Sequence, residues 1–231
     1  MEGLTVFTEM LAAEVLKTTP TKNKAALREA KRGILDYLAS TLAGPEDAGV
    51  LKLLHAIEAE GGHPVAALIG QNKRANRRQA ALVNGFMGHA LDYDDVHSDV
   101  RGHPSSVILP ALFALAAGRE ISGKQFLDTY IIGVEVMARL GQAFGTISYL
   151  QGWHNTSLLG GVSATFCGSP IARVHCCRNA ECCRNRRQSG CWSARAVRNG
   201  NEAVACRSGS ATSGPINRID SARISWLCSG A

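Results

Sequence analysis

The sequence predicts an all-α fold for most of the chain, on three observations. Apolar residues recur at helical spacing through most of residues 4–166. Glycine and proline fall mainly where those stretches stop. A single short apolar run, Pro64–Gly70, has the length and flanks of a strand or an extended connection.

Taken in order, Val6, Met10, Ala13 and Leu16 mark a first helix over 4–17, followed by a turn through Pro20. A second helix spans 25–43. Leu27, Ile34, Leu35, Leu38 and Leu42 are its expected buried stripe, and Arg28, Lys31 and Arg32 its wet face. Gly44-Pro45 stops it. Leu51, Leu53, Leu54 and Ile57 define a third helix that ends at Gly61-Gly62. Helix returns over 76–91. Pro104 then opens another, carrying Val107, Leu109, Leu112 and Leu115, in keeping with proline's preference for a first turn. Residues 123–149 predict one long helix or a broken pair, 152–156 a turn, and 157–166 the start of a small-residue helix.

Composition divides the chain in two. Residues 1–166 hold fifteen Lys+Arg, sixteen Asp+Glu and no cysteine. Residues 167–231 hold all eight cysteines, ten arginines, three acids and no lysine, so the whole +6 charge comes from them. The expected domains are therefore a partial helical domain over 1–166 and a Cys/Arg-rich tail over 167–231. No basic segment leads into a long apolar run, so no signal peptide is expected. No stretch reaches the roughly 18 apolar residues of a membrane span. The expected location is the cytoplasm.

Residues 84–106 concentrate four aspartates and three histidines between two apolar helices. Burying an unpaired carboxylate is strongly unfavourable, so such density beside a core implies pairing or use. Neighbouring charges and burial also push pKa values apart, which suits general acid/base chemistry. Taken singly, Asp94 and Asp95 fit solvated helix-end acids, His89 a satisfied core histidine, and His55 and His63 surface histidines. His97 with Asp99 lacks a clean metal-ligand spacing.

His89-Ala-Leu-Asp92-Tyr-Asp-Asp95, then His97, then His103-Pro-Ser-Ser, then Leu109-Pro-Ala-Leu resembles the signature of the MmgE/PrpD family. That family includes 2-methylcitrate dehydratases, cis-aconitate decarboxylases and iminodisuccinate epimerases. Gly152-Trp-His154-Asn-Thr resembles its second motif, with Asn155 where the family usually has proline, and residues 28–44 match its early helix. The likeness covers roughly 1–166. It implies a helical domain with a smaller α/β lid, usually a homodimer, needing no metal or organic cofactor. The implied chemistry removes or moves a proton beside a carboxylate on a small di- or tricarboxylic acid, most simply as a 2-methylcitrate dehydratase-like hydro-lyase. Carried over by position, the candidate catalytic residues are Asp92, His103 and His154. A histidine's ordinary pKa of about 6.5 lets His103 take or give a proton at neutral pH. Asp92 would orient an imidazole, and His154 would bind a substrate carboxylate. Val96 stands where many relatives carry threonine.

After Phe166 the helical periodicity fades, and three interpretations of the tail compete. His175, Cys176, Cys177, Cys182 and Cys183 offer zinc ligands, but adjacent Cys-Cys pairs are not the spacing of structural sites. The arginines offer phosphate contacts, without lysines, many aromatics or a supporting motif, so no nucleic-acid partner is expected. The third is a displaced reading frame. Skipping one base turns cysteine codons into valine or alanine codons. Residues 197–203 read that way permit Phe-Gly-Thr-Gly-Thr-Lys-Pro, close to the family's Phe-Gly-Thr-x-Thr-Lys-Pro. The family lysine then falls across Glu202 and Ala203, and no lysine follows Lys124. The expected product is a truncated family member, without lid, with a disordered tail and no activity. From another class, a non-catalytic helical module whose tail binds nucleic acid or zinc is the alternative.

Overall fold

The computed structural model describes Glu14, Val15 and residues 18–178, apart from the side chains of 169–170 and 172–178. After a 3-10 turn at Pro20–Lys22 come α1 (Lys24–Ala43), α2 (Ala48–Glu60), α3 (Arg77–His89), α4 (Ser105–Ala116), α5 (Gly123–Leu140), α6 (Thr146–Leu150) and α7 (Asn155–Arg178). Between α2 and α3 lies a short antiparallel hairpin, β1 (Ala66–Ala67) on β2 (Arg74–Ala75), with Ala66 opposite Ala75. The described part is thus all-α but for this hairpin, and Thr19–His175 forms one compact unit. No helix among the described residues is long and apolar enough to cross a membrane.

Side chains that satisfy free backbone N–H groups fix the helix starts. Asn23 accepts from Ala25 and Ala26 at α1, and Asp47 from Gly49 and Val50 at α2. Asn76 with Gln79, and Ser122 with Gln125, form reciprocal capping boxes at α3 and α5. Gly61, at φ 69°, follows α2 in the left-handed conformation that glycine reaches without a Cβ penalty.

The core has two parts. Tyr37 of α1, Ile108, Leu109 and Leu112 of α4, Tyr130 and Met137 of α5, and Leu159, Cys167 and Ile171 of α7 form the larger. Val50, Leu54 and Ile57 of α2 meet the hairpin and Ala80, Val83 and Met87 of α3 in the smaller. Side chains of this size, fully buried, each stabilise by about 1.5–3 kcal/mol. α3 packs on both α1 and α4, so its C-terminal end is held by the core on two sides.

Two expectations change and a third is narrowed. The buried line of α1 is Ala30, Tyr37, Ser40 and Thr41, whereas Leu35 and Leu42 are 70% and 56% exposed. α3 lies against the Tyr37 side, so the leucine stripe is not the one that is covered; Leu51 of α2 is likewise exposed. Second, the break expected within 123–149 is a π-helical turn at Gly141–Gly145 between α5 and α6. Third, α7 continues twelve residues beyond Phe166 to Arg178, with Cys167 and Ile171 buried against the core. Most of the expected helix over 4–17 and the tail from 179 lie outside the described residues.

The π-helical turn positions the loop that follows α3. A Cβ on Gly141 would stand 2.4 Å from the Asp99 carbonyl oxygen and 2.8 Å from Val100 Cα. Both obstacles are backbone. Gly141→Ala therefore destabilises the fold by about 1–3 kcal/mol, the usual cost of overpacking, measured as a lower denaturant midpoint at unchanged m-value.

Candidate functional site

The site is built on the C-terminal end of α3 and the loop from Ala90 to Pro104. His89 is the last residue of α3. The Asp92 N–H donates to the His89 carbonyl at 3.1 Å, and Asp92 sits at φ 55°, a left-handed conformation that aspartate tolerates better than most residues. This reversal turns Asp94 inward, leaving it 3% exposed. The loop then doubles back. His97 donates through its N–H to Gly102 O at 3.0 Å, and Arg101, at φ 53°, donates to His97 O at 2.8 Å.

The doubling back returns His103 onto the acids. Its Nδ1 lies 3.4 Å from Asp94 Oδ1 and its Nε2 3.5 Å from Asp92 Oδ1. His89 Nδ1 approaches the same Asp94 oxygen at 2.8 Å and lies 3.9 Å from Asp92 Oδ1. The two imidazoles are 4.5 Å apart, tilted by 55°. Asp94 Oδ2 is buried with no hydrogen-bond partner. The groups that face this buried carboxylate at ion-pair distance are the rings of His89 and His103. Asp92, by contrast, keeps a largely exposed side chain.

Asp95 anchors the next helix. Its carboxylate accepts from the Ser105 N–H at 3.1 Å and from Ser105 Oγ at 2.7 Å, at the start of α4. Burial pushes the Asp95 carboxyl above the usual aspartate range, against the pull of the Ser105 hydrogen bonds. Ser105 Oγ also meets the Tyr130 hydroxyl at 2.5 Å, and burial raises that phenol to about 12.

The second motif is tied to the first. The Thr156 hydroxyl accepts from the His103 N–H at 3.0 Å. Asn155, 1% exposed, donates through Nδ2 to Val100 O at 2.8 Å and to Gly145 O at 2.9 Å, and accepts from Ser148 Oγ at 2.7 Å. A proline has no side-chain amide and makes none of these bonds, so Asn155 carries the turn here. His154 itself is exposed, and its Nδ1 pairs with Ser157 Oγ at 2.9 Å.

The structure therefore brings Asp92 and His103 together and places His154 on a turn whose neighbour Thr156 holds His103. Three residues were misjudged from sequence. Asp94 and Asp95 are not solvated helix-end acids, and His89 faces the cluster rather than lying satisfied in the core. The missed signal is the left-handed turn at Asp92, which inverts the side-chain direction two residues on. His97 and Asp99 do not converge: Asp99 accepts from Gln142 Nε2 at 3.0 Å, and the buried His97 Nδ1 has no partner. His55 and His63 are exposed, as expected.

Comparison with known proteins places the sequence in a family. The profile of the MmgE/PrpD N-terminal domain matches residues 9–208. A cis-aconitate decarboxylase-like protein of Aspergillus oryzae is 33% identical over 156 residues, covering 63% of this chain and 32% of the relative. The cis-aconitate decarboxylase of Aspergillus terreus is 30% identical over 140 residues, covering 58% and 29%. That of Mus musculus is 30% identical over 119 residues, covering 49% and 24%. The chain thus spans a third or less of the length of these relatives.

Two outcomes follow from the anchors. Asn155→Ala removes three buried hydrogen bonds, to Val100 O, Gly145 O and Ser148 Oγ, costing about 3 kcal/mol in urea unfolding. It also moves the backbone amide resonance of His103, which a mutation remote from the loop leaves in place. For Asp95, the folded-state pKa lies above the ordinary 3.8, so the folded chain binds the extra proton. Stability from this group is highest below 3.8 and falls as pH rises through the raised folded value. Asp95→Asn flattens that part of the stability–pH curve, as read by thermal unfolding across acidic pH.

Proposed function

Because the chain belongs to the MmgE/PrpD family, we propose that Asp92 and His103 handle the proton, and His154 holds a substrate carboxylate, in a lyase pocket for small polycarboxylic acids. The observation that carries this proposal is an imidazole with a carboxylate at each ring nitrogen: Asp94, buried, behind Nδ1 and Asp92, exposed, before Nε2. A base must be oriented and must keep one nitrogen accessible to the reacting carbon. Asp94 supplies the orientation, as a positioning residue. Nε2 lies on the exposed side, beside Asp92.

The chemistry balances in either direction used by the family. In a dehydration, His103 takes the proton from the carbon beside a substrate carboxylate, the C–OH bond breaks as the double bond forms, and the departing hydroxide takes up a proton, from the imidazolium just formed or from solvent, to leave as water. In a decarboxylation, carbon dioxide leaves and the carbanion collects a proton from the histidine. His154, exposed on its turn, binds a second substrate carboxylate. Hydro-lyase action on a 2-methylcitrate-like acid is one form. The matched relatives named cis-aconitate decarboxylase favour an unsaturated tricarboxylate as the other. Neither form requires a cofactor, and the assembled enzyme is a homodimer.

The sequence after Phe166 belongs to the same proposal. The family's lysine, whose cation would hold a substrate carboxylate or stabilise an enolate, is not written in this frame, since no lysine follows Lys124. A one-base slip there permits family-like segments in order. The family profile extends to residue 208, past the proposed slip, so resequencing the DNA around codons 164–168 is the strict check.

The chain as given is therefore expected to release no carbon dioxide from cis-aconitate and to dehydrate no 2-methylcitrate. A frame-restored gene product turns over one of them, and His103→Gln in it lowers kcat by about 10²–10⁴-fold, the usual contribution of a general base. Full turnover by the chain as given, or by the frame-restored His103→Gln variant, contradicts the proposal.

A further inference from the structure

We propose that His89, Asp94 and His103 form a binding site for a divalent transition-metal ion, zinc above all, with Asp92 supporting it from outside. One donor atom from each of these four side chains lies within 4.8 Å of the others. At zinc bond lengths of about 2.0–2.1 Å, tetrahedral donors stand about 3.3 Å apart. His89 Nδ1 and His103 Nδ1 lie 2.8 and 3.4 Å from Asp94 Oδ1, both within about half an ångström of that spacing. Two imidazole nitrogens and one carboxylate oxygen are a zinc-type donor set, and three protein ligands leave the fourth position open.

Two further observations point to a ligand rather than to a closed network. The Asp94 side chain is fully buried, and its Oδ2 has no hydrogen-bond partner. His103 Nδ1 is also buried and makes no hydrogen bond. A divalent ion would neutralise the buried carboxylate and occupy that nitrogen's lone pair. The remaining nitrogen of His103 then donates to Asp92, whose Oδ1 already lies 3.5 Å from it. That is the usual outer arrangement of a metal-bound histidine. The resemblance of the sequence implies no metal, and this ion is no cofactor. With the ion on Nδ1, Nε2 of His103 must carry the ring's proton and can no longer accept one from substrate, so zinc is an inhibitor of that site. Only this consequence rests on the proposed function; the binding itself does not.

The test uses the full chain and cobalt(II) as a spectroscopic probe for zinc. Because the tail carries cysteines, the spectrum must separate nitrogen/oxygen ligation from thiolate ligation. One equivalent of cobalt is expected to give tetrahedral d–d bands without a thiolate charge-transfer band, and zinc to displace it. His89→Gln and Asp94→Asn, each checked by far-UV circular dichroism, weaken binding at least 100-fold. Asp92→Asn weakens it about tenfold, as loss of an outer partner does, and His63→Gln leaves it unchanged. Absence of binding overturns the proposal. So does a thiolate band, or an affinity that His89→Gln and Asp94→Asn do not alter. Since no turnover is measured, failure here leaves the proton-transfer proposal standing, and an inactive enzyme leaves this one standing.

Discussion

A buried carboxylate with no lysine or arginine paired to it among the described residues is the constraint around which the rest is arranged. Asp94 lies at the end of α3, beneath a left-handed turn, with one oxygen shared by two imidazoles. Such a group is costly unless a positive charge and hydrogen bonds offset its lost hydration. The fold meets that need by bringing His103 back through a doubled loop onto the helix that ends in His89. Every other anchor in the region serves the same return: Asp95 fixes the start of α4, and Thr156 fixes the His103 backbone.

The scaffold explains how so short a loop is held. α3 is packed on α1 and α4, so its last turn is not free to fray. On the far side, the π-helical turn opens the α5 end enough for the Asp99–Val100 backbone to lie against Gly141. π-type turns are frequent at functional sites, where they re-aim the chain. Asn155 then spans the gap from α7 to both segments with its amide. The loop is therefore fixed from three helices at once, and the acid–imidazole cluster inherits that rigidity.

Helices were legible because their signals are local. Periodicity and stop residues placed α1 to α5 within a few residues, and the composite signature from His89 to Leu109 located the site. What was not legible depends on tertiary direction. Leu35 and Leu42 satisfy helical spacing but face away from α3, while Tyr37 and Thr41 take the buried side. Asp94 and Asp95 look alike in sequence; one residue's difference after a left-handed turn sends one to two histidines and the other to a helix start. Fading periodicity after Phe166 suggested an end to helix, yet Cys167 and Ile171 are apolar enough to keep α7 on the core, and burial raises the Cys167 thiol to about 12.

Nitrogen-15 NMR of the histidine rings tests the shared-carboxylate arrangement most directly. With Asp94 between them, the Nδ1 resonance of His89 is expected to show a hydrogen-bonded shift, and Asp94→Asn is expected to move the ring resonances of both His89 and His103. A His89 Nδ1 resonance at the free-imidazole position, or a response of one histidine alone, would contradict the account.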